Sequence, residues 1–154
     1  MDARNKTDHG AHEATEAEPI RRRIERIAEL LHAKDLDALA LCYSEDVVSF
    51  DVEPPLAHRG RAAKMRNWEK VFAAFDEVTY EVRDLTVAAG GDVAFAHAFG
   101  RLGGTLGNGT AVTGMWVRAT FCMRLIEGEW LIVHDQASVP FDLSTGKGVT
   151  NLEP

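Results

Sequence analysis

Residues 112–141, V-T-G-M-W-V-R-A-T-F-C-M-R-L-I-E-G-E-W-L-I-V-H-D-Q-A-S-V-P-F, carry the reading of the fold. Two runs rich in β-branched and aromatic residues flank Glu127-Gly128, the pattern of a long β-hairpin closed by a two-residue turn. Such a turn pairs Leu125 with Trp130 and, counting on, Phe121 with His134. Side chains alternate along a strand, so Met115, Val117, Ala119, Phe121 and Met123 should share a face with Trp130, Ile132, His134, Gln136 and Ser138. Trp116, Arg118, Thr120, Cys122 and Arg124 then lie opposite, beside Asp135, which makes Arg118 and Asp135 an outer-face or subunit-interface pair, with a pocket role as the alternative. One bulged residue would exchange these sets. Polar His134, Gln136 and Ser138, where a strand should stay apolar, point to a pocket at the end of a sheet.

Working outward, Val78–Ala88 and Val93–Leu102 also read as strands, joined at Gly90-Gly91, and Asn108-Gly109 is a hairpin-turn candidate. Upstream, Pro19 suits a first helical turn, and Ile20, Ile24, Ile27, Ala28 and Leu31 recur at helical spacing to about Ala33. Asp35 is placed to cap a second helix carrying Leu36, Leu39, Ala40 and Tyr43. A strand Val47–Val52 follows, ended by Pro54-Pro55, and Gly60 opens a third helix with Met65, Trp68, Phe72 and Phe75 along one stripe. Helices followed by a four-stranded meander predict an α+β domain over residues 19–141, its twisted sheet curled around the N-terminal helix. Residues 1–18 have no large hydrophobe before Pro19 beyond Met1 and are expected to be a disordered tail. Residues 142–154 read as a polar C-terminal tail. His9 and His12 have a metal-compatible spacing but no third ligand nearby.

At 154 residues the chain suits one domain, and 45% hydrophobic with 27% charged residues is ordinary for a soluble globular protein. A net charge of −7 argues against nucleic-acid backbones and anionic membrane surfaces. The basic run Arg21-Arg22-Arg23 reads as a solvated helix face. Without an apolar run of membrane-spanning length or a signal-peptide core, a cytoplasmic protein is expected. Cys42 and Cys122 lack a C-x-x-C spacing and read as reduced thiols. No phosphate-loop, nucleophile-elbow or tight metal-ligand motif occurs, so neither a cofactor nor a metal is expected.

Three residues stand out as candidates for chemistry. Asp51 closes the Val47–Val52 strand between Phe50 and Val52, where it is either a desolvated general base or a turn-capping carboxylate. His97, in V-A-F-A-H-A-F-G-R, alternates with Val93, Phe95, Phe99 and Arg101. The larger side chains should face the helices, which makes His97 a core or pocket residue. His134 is the third, with Gln136 and Ser138 beside it. Tyr43, Phe50, Trp68, Phe72, Phe95, Phe99 and Phe121 are expected wall or core residues.

A helix, then D-L-D-A-L-A-L-C-Y-S-E-D-V-V-S-F-D-V, then a meander ending in E-W-L-I-V-H-D-Q-A-S-V-P-F resembles the SnoaL-like branch of the NTF2-like superfamily, over about residues 20–141. The resemblance implies a cone-shaped α+β fold, shared with ketosteroid isomerase and limonene epoxide hydrolase, with a small-molecule funnel. It places Asp51 where ketosteroid isomerase carries its proton-shuttling aspartate. Ile27 stands near the position of that family's first-helix tyrosine. Gln136 replaces the second histidine of an H-x-H-x-S ending.

The expectation is a homodimer that binds a small, largely apolar molecule and moves a proton next to a carbonyl. Asp51 would be the base, with His97, His134 and Gln136 donating to the oxyanion. The alternatives are a non-catalytic ligand-binding or assembly domain, and an epoxide or ester hydrolase. Dimerisation is expected through the small-residue face Ala94, Ala96, Ala98 and Gly100 and the stripe containing Trp116.

Overall fold

The computed structural model describes residues 5–154, with side chains from Glu16 onward. Helix α1 spans Asn5–Ala33. It therefore extends through residues 5–18, expected to be disordered, and Pro19 lies inside it rather than at its start. The run A-H-E-A-T-E-A-E is rich in alanine and glutamate, residues of high helix propensity. The side chains of His9 and His12 lie outside the described residues. From Pro19 on, α1 buries Ile20, Ile24, Ile27, Leu30 and Leu31, each stabilising by roughly 1.5–3 kcal/mol.

Helix α2 is one short turn, Leu36–Ala40, capped by the Asp35 carboxylate accepting from Ala38 N at 3.0 Å. It ends before Tyr43, which instead opens strand β1 (Tyr43–Phe50), four residues earlier than expected. A two-residue strand β2 (His58–Arg59) folds back on β1 and delivers the chain to α3 (Arg61–Ala74). Gly60 makes that turn at φ 84°, a left-handed conformation that suits glycine.

The remaining strands are β3 (Phe75–Gly90), β4 (Val93–Leu106), β5 (Ala111–Val112), β6 (Trp116–Ile126) and β7 (Glu129–Ser138). The predicted single strand Ala111–Leu125 is thus broken, at Gly114 with φ 78°. Strands β3, β4, β6 and β7 form the expected antiparallel meander, extended by β1, which runs parallel to β7, and by β2. The result is an α+β fold with a curved, unclosed mixed sheet against α1. At the hairpin, Glu127 (φ 51°) and Gly128 (φ 84°) both take the left-handed conformation that a two-residue turn requires, and Leu125 pairs with Trp130 as expected.

Four residues beyond that turn the register shifts. Met123 pairs with Ile132 but Cys122 pairs with His134, so Val133 is a bulge. Every β7 residue past it changes face. Asp135 turns inward, paired with Phe121, and the expected Arg118–Asp135 outer pair does not exist. His134, Gln136 and Ser138 turn outward. On β4 the expected orientation is also reversed: Ala94, Ala96, Ala98 and Gly100 face the core, while Val93, Phe95 and His97 are exposed. Packing space explains this, because α1 and the flanking strands supply the large side chains and leave β4 room only for small ones.

The chain end is not a free tail. β8 (Phe141–Asp142) and β9 (Lys147–Gly148) form a small hairpin, and Trp116 Nε1 donates to Glu153 Oε2 at 3.3 Å. The guanidinium groups of Arg83 and Arg101 both lie over the Trp116 ring, 4.5 and 4.6 Å from its centroid. Arg101 also holds the Glu81 carboxyl below its usual range. Among the described residues no helix is long and apolar enough to cross a membrane.

Candidate functional site

β1, β7 and α3 converge on one buried ammonium group. Lys64, in the first turn of α3, is 3% exposed. Its Nζ donates to Ser49 Oγ at 2.8 Å and to Asp51 Oδ1 at 3.0 Å, and lies 3.3 Å from Asp135 Oδ2. Two hydrogen bonds and one further ion pair thus surround the ammonium. Asn67 donates to the other Asp51 oxygen at 2.8 Å, and Trp68 sets its ring 5.7 Å from Nζ.

Local geometry brings these groups together. Lys64, Asn67 and Trp68 are spaced i, i+3, i+4 and share one helix face. Ser49 and Asp51 alternate onto one face at the end of β1. Ser49 is flanked by Asp135 on β7 and by His58 on β2, so three polar side chains stand abreast across the sheet. The Val133 bulge is what turns Asp135 toward them.

Polar demand within the cluster is not met. His58 Nε2 lies 3.4 Å from Asp51 Oδ2, close enough for charge attraction but not aligned as a hydrogen bond. His58 Nε2, Trp68 Nε1 and Asp135 Oδ1 are all buried without a hydrogen-bond partner. Among the described residues only one other buried side-chain atom, Ser44 Oγ, is in that state. Buried polar groups are nearly always satisfied, so three in one place mark somewhere that a ligand or water belongs.

Two phenols complete the site. Burial, reinforced by the charge of Asp135, pushes the Tyr43 hydroxyl well above its usual range. Burial and the charges of Asp135 and Asp51 push Tyr80 up to about 12. Both stay neutral hydrogen-bond donors at physiological pH. The folded state holds the Tyr80 proton more tightly than the unfolded chain, whose phenol titrates near 10.0. Stability should therefore be intact below pH 10.0 and fall as pH rises toward about 12. Alkaline urea titrations of the protein and of Tyr80→Phe check this, the variant losing less across that window.

The family model for the SnoaL-like domain matches residues 20–142. The chain belongs to the SnoaL-like family. An NTF2-like protein of unknown function from Pseudomonas putida KT2440 is 32% identical, with a TM-score of 0.80 over 92% of this chain and 97% of its own. A candidate NTF2-like dehydratase from Streptomyces avermitilis is 19% identical, with a TM-score of 0.73 over 84% of this chain and 99% of its own. A candidate scytalone dehydratase from Novosphingobium aromaticivorans is 13% identical, with a TM-score of 0.71 over 78% and 80%. These last two likenesses establish the fold alone. No match was found among curated proteins.

Within this SnoaL-like domain, four of the expected site residues lie on the inner side: Asp51, Tyr43, Trp68 and Phe121. Six do not. His97 is exposed on the outer face of β4, with Phe99 partly buried on the same face. Phe50, 39% exposed, packs edge-on against His134 with ring centroids 4.7 Å apart. His134 Nδ1 donates to Val48 O at 2.6 Å, which ties β7 to β1 rather than serving a pocket. Gln136 is exposed, and Ser138 Oγ accepts from Arg118 Nε at 3.2 Å. The β4 inversion and the Val133 bulge account for all but Phe50, whose outward turn follows from β1 alternation with Asp51 inward. Lys64, Asn67, Ser49, His58, Tyr80 and Asp135 replace them. The helical spacing of Lys64 and Asn67 with Trp68 is the signal that would have found the first two.

Proposed function

We propose that this SnoaL-like protein is a cofactor-independent enzyme of isomerase or lyase type, moving a proton next to a carbonyl in a small, largely apolar molecule. The observation that carries the reading is the set of unpaired atoms around Asp51: one N–H donor, one carboxylate acceptor and one imidazole nitrogen. A ligand bearing carbonyl or hydroxyl oxygen supplies the missing partners. Asp51 is the base, held in place by Lys64 and Asn67, with His58 beside it to accept or relay the proton. Tyr43 and Tyr80 take the donor role first assigned to His97, His134 and Gln136. The names of the Streptomyces and Novosphingobium neighbours lean toward loss of water as the outcome.

The test is solvent-deuterium incorporation next to the carbonyl across a panel of cyclic ketones and hydroxyketones, followed by NMR. Exchange that requires Asp51 supports the reading. Tight binding with no exchange by any member would instead make this a binding domain, a role compatible with the fully engaged Asp51 carboxylate. Hydrolysis of an epoxide or ester gains one specific observation, since Asp51 and Asn67 set a carboxylate and a carboxamide side by side, as activation of water requires. Oxygen-18 from labelled water appearing in product identifies that case.

The dimer belongs to the same proposal, but on the opposite face from the one expected. Ala94, Ala96 and Ala98 are core residues, whereas Val93 and Phe95 are 52% and 53% exposed on the outer face. A second copy covering that face would take the Val93 and Phe95 side chains out of water. Phe95→Glu should convert a dimer into a folded monomer in size-exclusion chromatography with light scattering. A wild-type protein that runs as a monomer at micromolar concentration would end this part of the proposal.

A further inference from the structure

Gly100 sits in the middle of β4, paired with Val82 on one side and Val117 on the other. Its φ is not in the left-handed range, so the backbone does not call for glycine. Space does. A Cβ at position 100 would stand 2.5 Å from Tyr80 Oη and 3.1 Å from Tyr80 Cζ, with Val117 Cγ2 at 3.7 Å. Tyr80 itself pairs with Leu102, so its ring runs diagonally across the neighbouring strand and lies over the bare α-carbon. The ring is rigid and turns about only two bonds. Relieving a 2.5 Å contact therefore moves the whole phenol rather than a flexible tip.

We infer that Gly100 is a positioning residue of this site: the side chain it lacks is the seat of the Tyr80 ring, and so fixes where the Tyr80 hydroxyl stands relative to Asp51 and Asp135. The consequence for catalysis rests on the function proposed above. The seat itself does not.

The experiment separates the two. Tyr43 and Tyr80 are the only tyrosines in the chain. Tyrosine labelled at the ring carbon bearing oxygen gives two resonances, assigned with Tyr80→Phe. In Gly100→Ala the Tyr80 resonance should move, and its titration midpoint should fall from about 12 toward the ordinary 10.0 as the phenol is pushed toward water. A resonance and midpoint unchanged by Gly100→Ala would overturn the inference.

Thermal unfolding supplies a second readout, independent of assignment. Gly100→Ala should lower Tm, and in a Tyr80→Phe background the same change should cost half as much or less, because the oxygen at 2.5 Å is gone. Equal losses in both backgrounds would mean that Gly100 serves only strand packing, and the inference falls. Both measurements need no substrate. If Tyr80 moves as expected while ketone exchange is untouched, the seat stands and the catalytic role of Tyr80 is what fails.

Discussion

Lys64→Met should cost about 3–5 kcal/mol of stability, the largest effect expected of any single side-chain change here. Removing the ammonium leaves the buried Asp135 and the half-buried Asp51 with no cation between them. Methionine fills much of the volume, so the loss measures electrostatics more than a cavity. Against a typical domain stability of about 5–15 kcal/mol, it would leave the variant close to unfolding. Urea denaturation of the wild type, Lys64→Met and the triple variant Lys64→Met/Asp51→Asn/Asp135→Asn gives the measurement. The triple variant should recover most of the loss, because neutral amides no longer repel. A single variant within about 1 kcal/mol of wild type would mean that solvent already screens the cluster.

Asp51→Asn should lower turnover by roughly 10²–10⁴-fold while leaving ligand affinity within a few-fold. The carboxamide keeps the shape of the side chain and an oxygen for Lys64, but cannot hold a proton taken from carbon. Stability should change by about 1 kcal/mol or less, since the ammonium still faces Asp135 and the Asn67 carboxamide can turn its oxygen toward the new NH2. That separation is what makes the variant informative, because lost activity in a fully folded protein is a chemical loss. Single-turnover exchange on the best ketone from the panel is the measurement. Undiminished exchange would sink the assignment of Asp51 as base and leave His58 as the group to examine.

Much of the fold was legible because its signals are local. Ile20, Ile24 and Ile27 mark α1 by spacing, Asp35 caps α2, and Glu127-Gly128 closes the hairpin with the register expected at its tip. Asp51 was legible for a similar reason, a carboxylate at a strand end among apolar neighbours. The rest of the site depends on facts that no short window contains. Lys64 reads as a solvated helix lysine until two carboxylates from other strands surround it. Asp135 reads as outward because Val133 looks like any other strand valine. His97 reads as inward because large residues usually face a core, whereas here α1 fills that space and the alanines of β4 make room for it. Tyr80 gave no signal beyond strand propensity, since its importance comes from Gly100 on the next strand.

The Val133 bulge makes inheritance at this site a matter of counting as well as of spelling. Were the same residues to pair without the bulge, Val133 would oppose Cys122 and His134 would oppose Phe121, presenting His134 and Gln136 to Lys64 in place of Asp135. No residue would be substituted, yet an acidic interior would become an imidazole and an amide. A relative without the bulge would keep an aspartate opposite Phe121 only through a one-residue gap at Val133. Any comparison that closes such a gap for the sake of a tidy alignment would match residues that never occupy the same place.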